Sequence, residues 1–117
     1  MSFFSWVADA WEFAKNLIRK VAQFVTALFI HLLSFAKHIV NWFKDPNRLA
    51  NLRKNKDVIA VALKENLDSN NYNVVNCLYN KATEEVVDIS DSALYEAEDL
   101  DSKTENAFGD KPMIVLN

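Results

Sequence analysis

Between Ser2 and Phe43 the chain contains neither glycine nor proline. Over the whole sequence there is one glycine, Gly109, and only two prolines, Pro46 and Pro112. A chain so poor in breakers is expected to build long uninterrupted elements. Within the opening run, the sixteen residues Val21 to Ala36 carry no formal charge.

On a helical wheel the polar residues of this run, from Ser2 and Asp9 through Arg19 and Gln23 to Lys37 and Asn41, gather on one side. The large apolar residues fill the remaining arc of roughly 200°. Phe3, Trp6, Trp11, Phe13, Leu17, Val21, Phe24, Leu28, Leu32, Phe35, Ile39 and Trp42 define that face, and Ile30 alone falls outside it. The pattern predicts one amphipathic helix over residues 1–44, about 60 Å long at 1.5 Å per residue. A domain of this size has a radius of gyration near 13 Å, so such a rod would overhang it. Its apolar face would need lipid or further copies of the chain as cover. The phase holds to 3.6 residues per turn and the face is rich in Phe and Trp, which favours an interfacial helix over a coiled coil. A membrane span would need roughly 20 apolar residues, more than the uncharged stretch supplies.

Asp45-Pro46 combines a stop for the first helix with a start for the next. Around it lie Lys44, Arg48, Arg53, Lys54 and Lys56, a basic neck over residues 45–56 suited to anionic lipid. A second helix is expected over 57–68, with Ile59, Leu63 and Leu67 as its stripe. Residues 57–117 then form a small acidic module. Strands near 72–79 and 85–89 read as a hairpin, followed by an extended piece at 93–97. A helix near 101–108 follows, with Gly109 after its end. A final strand, "MIVLN", has an apolar run that suggests burial on both faces. The expected class is α+β: a long N-terminal amphipathic helix, a second helix and a ββαβ-type module.

The charge divides along the chain. Residues 1–70 hold ten Lys/Arg against six Asp/Glu, whereas residues 71–117 hold three against ten. Opposite charge on two parts suggests two tasks. Cationic residues without interleaved aromatics disfavour nucleic acid as a partner. One cysteine, Cys77, excludes an internal disulfide framework and reads as a small buried apolar residue. His31 and His38 stand seven apart without the spacing of a helical zinc motif, and a single glycine leaves no phosphate loop. No catalytic, cofactor-binding or metal-binding constellation is expected, and the chain reads as non-enzymatic. The expected role is a membrane-associated adaptor or assembly protein, its module on the cytoplasmic side and presented to a protein partner. Homo-oligomers are expected. The alternatives are a self-assembling component of a larger particle, or a membrane-active, pore-forming protein.

Overall fold

A computed structural model describes residues 10–116. Helix α1 spans Ala10–Ala22 and strand β1 spans Leu28–Leu33. A π-helical turn, Phe35–Val40, runs into a single turn of α-helix, α2, Asn41–Phe43, and α3 covers Pro46–Lys54. Then come β2 (Val58–Asn66), β3 (Tyr72–Asn80), β4 (Glu85–Val87), a 3-10 turn (Ile89–Asp91) and β5 (Ala93–Leu100). Helix α4 (Ser102–Phe108) and β6 (Met113–Leu116) complete the described chain.

The strands form one sheet in the order β1-β5-β3-β2-β6. β1 runs parallel to β5, and the other pairs are antiparallel. β4 joins β3 beyond the end of β5, with Leu78 opposite Val87. The sheet carries a core on each face. Val61, Leu63, Val75, Cys77, Leu94 and Met113 meet α1 on one side. Leu33, Ile39, Phe43, Ala60, Ala62, Val74, Ala97 and Phe108 pack together on the other.

The expected long helix is therefore corrected. α1 has 13 residues, ends at Ala22, and lies on the sheet. Ala14, Leu17, Ile18 and Val21 recur on one side of it and are all buried. Beside them Phe13 meets the Tyr79 ring edge-on at 5.1 Å. After Val21, the Phe24 and Val25 amides both return to its carbonyl oxygen and close the last turn. The chain then extends into β1. The cover that a separate rod would lack is supplied by the chain's own sheet, and the Cα radius of gyration of the fold is 13.4 Å.

The expected second helix is likewise a strand, β2, paired with β3 and β6. Its residues Ala60, Val61, Ala62 and Leu63 are consecutive and all buried, so both faces of the strand are covered. A central strand with β-branched Val58, Ile59 and Val61 is stable there, while a helix would strand half of that run in water. The ββαβ arrangement is replaced by a sheet that also takes in β1 and β2. β6 is an edge strand, with Met113 buried and Ile114 to Leu116 half-buried.

Candidate functional site

Asp101 holds the end of β1 in place. Asp101 precedes α4, and its Oδ1 accepts the Thr104 N–H at 2.9 Å. Its Oδ2 accepts the Phe35 N–H at 3.1 Å, while its own N–H donates to Leu33 O at 2.9 Å. Burial alone would raise the Asp101 pKa. The Thr104 hydroxyl and amide and the Phe35 amide outweigh it and hold the carboxyl below its ordinary value. The end of β1 is thus tied to β5 by one residue.

Beyond β1 the described sheet has no further strand. Sheet edges in monomeric proteins are commonly guarded by lysine, proline or a bulge. β1 reads Leu-Phe-Ile-His-Leu-Leu and pairs with β5 over Leu28–Ile30 and again at Leu32 and Leu33, with the ladder interrupted at His31. β1 carries neither lysine nor proline. Leu28 is 58% exposed, Phe29 72% and Leu32 48%, an unusual exposure for large apolar residues set side by side. Leu28 lies on the same sheet face as Ile30, which packs into the core opposite α1, and Phe29 lies on the other face.

The charged groups beside this edge are already engaged. His31 Nδ1 lies 3.0 Å from Glu98 Oε2, and Asn71 Nδ2 donates to Glu96 Oε2 at 3.2 Å. With Phe29 and Ile30 these four side chains line a shallow cavity of about 170 Å³. A second cavity, about 360 Å³, lies beside α1 and mixes Trp11 and Ile18 with Lys15, Lys64, Glu65 and Asp110.

The residues singled out from sequence scatter. Phe3 and Trp6 lie outside the described residues. Leu17, Val21 and Ile39 are buried, and Phe13, Phe35 and Trp42 are half-buried. Trp11, Phe24, Leu28 and Leu32 are exposed. In the basic neck, Lys44, Arg53, Lys54 and Lys56 are exposed, but Arg48 is not free to meet lipid. Its guanidinium stacks on Trp42 at 3.7 Å, donates to Trp42 O, and bonds both carboxylate oxygens of Asp91 at 3.2 and 3.1 Å. Sequence reasoning missed Phe29, Asn71, Glu96 and Glu98 as parts of one site. The available signal was Ile30, whose misfit on the wheel marked a strand.

Groups that often carry chemistry are occupied elsewhere. The His38 imidazole accepts the Ser34 N–H on Nδ1 at 2.8 Å, which requires that nitrogen to be unprotonated. Burial, and then Lys37, hold its pKa below the ordinary value. Burial pushes the Cys77 thiol up to about 12, so it is neither a thiolate nor a ready nucleophile. Among the described residues no group of three His, Cys, Asp or Glu side chains could hold a metal ion. Nor is any described helix long and apolar enough to cross a membrane. No protein-family model, curated protein or solved structure matches the chain.

Proposed function

We propose that this chain is a non-enzymatic assembly protein that joins another polypeptide by adding a strand to β1. The observation that carries this reading is the exposure of Leu28, Phe29 and Leu32 on an edge with neither lysine nor proline. Strand addition gains affinity from main-chain hydrogen bonds and specificity from alternating side chains, and β1 offers both. Glu96 and Glu98 beside it already bond Asn71 and His31, so an incoming strand meets the exposed Leu28, Phe29 and Leu32 first.

The test places a photo-crosslinking amino acid at Phe29 and, as a control, at the exposed Lys103. Polypeptide adducts at position 29 alone are expected. Equal labelling at both positions, or none at 29, would overturn the reading.

A peripheral seat on a membrane is the second reading. Phe24 is exposed just after α1, whose last turn carries the exposed Arg19 and Lys20. An apolar ring flanked by cations suits an anionic lipid surface. Co-sedimentation with phosphatidylserine vesicles checks it, and Phe24→Asp is expected to abolish the pelleting.

A further inference from the structure

We infer that the cleft between α1 and the end of β2 binds a free amino acid with a cationic side chain, of the arginine type. β3 and β5 separate β2 from β1, a distance of three strand spacings or about 14 Å. The inference therefore stands apart from the strand-addition reading.

Three elements build the cleft. Trp11, Ala14, Lys15 and Ile18 lie at i, i+3, i+4 and i+7, so one stripe of α1 faces it. Ala14, Ile18 and Pro112 are buried and give it an apolar floor. β2 pairs with β3 without a break, and alternation puts Glu65 on the α1 face with Val61 and Leu63. Lys64 turns the other way, with Ala60 and Ala62, and its ammonium lies 5.6 Å from the Phe108 ring centroid. Asp110 comes from the segment between α4 and β6. That segment is pinned at both ends. The Gly109 N–H donates to Glu105 O, and Pro112 O accepts the Lys64 N–H, both at 2.8 Å.

Charge selects the ligand. Around a cavity of about 360 Å³ stand one uncommitted cation, Lys15, and two carboxylates, Glu65 and Asp110. No ion pair joins any two of them. Glu65 Oε1 accepts from Asn73 Nδ2 at 3.2 Å, which orients the carboxylate and leaves Oε2 for a ligand. An anion would meet two like charges. A simple cation would leave Lys15 unmatched, and an apolar molecule would strip water from three charged groups without replacing it. An amino acid with a cationic side chain carries the complementary set. Its carboxylate answers Lys15, and its two cations answer Glu65 and Asp110.

Trp11 refines the choice. Its side chain is 63% exposed, and an indole face takes a planar guanidinium by stacking as well as by charge. The volume is at the small end of ligand cavities, the scale of one amino acid. The anchors are fixed beforehand by α1, β2 and the pinned segment, so little ordering is lost on binding.

The experiment titrates the full chain by calorimetry with L-arginine, L-citrulline and agmatine. L-Arginine is expected to bind with a dissociation constant of roughly 1 mM or tighter. L-Citrulline replaces the guanidinium by a neutral urea, and agmatine lacks the carboxylate. Each is expected to bind at least about tenfold more weakly. Lys15→Ala is expected to remove the preference for arginine over agmatine. Asp110→Asn is expected to weaken arginine about tenfold. Both side chains are exposed, so neither variant should move the thermal melt.

L-Arginine that fails to bind at about 20 mM overturns the inference. So does equal binding of the three compounds, or an arginine affinity indifferent to both substitutions. None of these results bears on crosslinking at position 29, which judges the strand-addition reading separately.

Discussion

Asp101 Oδ2 accepts the Phe35 N–H at 3.1 Å, joining the end of β5 to the turn that leaves β1. The same carboxylate caps α4 through Thr104. Asp101→Ala removes both contacts and is expected to lower the unfolding free energy, read from urea titration, by about 1–3 kcal/mol. Amide exchange should rise first at Phe35 and Thr104. The pH sign follows from the carboxyl's lowered pKa. Its contribution is complete above 3.8, the ordinary value, and fades as pH falls below it. A variant as stable as the parent at neutral pH would show that the two caps are redundant.

Arg48 tests whether the cluster after Asp45 acts as a set of equal cations. Its side chain is only 15% exposed, held between Trp42 and Asp91. Arg48→Ala is expected to destabilise by about 1–2 kcal/mol. Arg48→Lys should recover little of that, because an ammonium cannot bond both Asp91 oxygens in the same plane. Arg53→Ala should stay within about 0.5 kcal/mol, as surface substitutions do. Chemical denaturation of the three variants separates these outcomes.

The lowered pKa of His38 gives the fold an acid-sensitive point near neutrality. The folded chain binds that proton less readily than the unfolded chain does. Stability is therefore complete above 6.5, the ordinary value, and declines as pH falls below it. Proton NMR of the imidazole should titrate below 6.5. The melting temperature should drop between pH 7.5 and pH 5.5, and a His38→Gln chain should show a shallower drop. A midpoint above the ordinary value would reverse the sign and refute the prediction.

Local chemistry was legible where a side chain closes its own turn. Asp45 caps α3 with Pro46 in its first turn, and Gly109 follows α4 at a φ of +59°. The hairpin positions also agree with β3 and β4, since β-branched and aromatic residues there leave few alternatives. The opening run misled for a physical reason. A wheel at 100° per residue is satisfied by α1, whose phase is genuine, but β1 fits nearly as well because so many of its residues are apolar. Ile30 alone objected. For β2, the stripe of Ile59, Leu63 and Leu67 is equally compatible with a strand buried on both faces. Only the pairing with β3 and β6 decides between them, and pairing is not local information. The exposed edge has the same origin, since exposure depends on where β1 falls in the sheet.

The scarcity of glycine has a meaning other than length. The chain still reverses direction, and it does so with Asn70 at a φ of 69°, Glu84 at 57° and Asp88 at 48°. Asparagine and aspartate accept that left-handed geometry readily, but glutamate pays for it with strain of about 1 kcal/mol. Glu84→Gly should relieve part of this, raising the melting temperature without touching either core. The hairpin corner is then a latent margin: robustness the molecule could gain by one substitution and has left unclaimed.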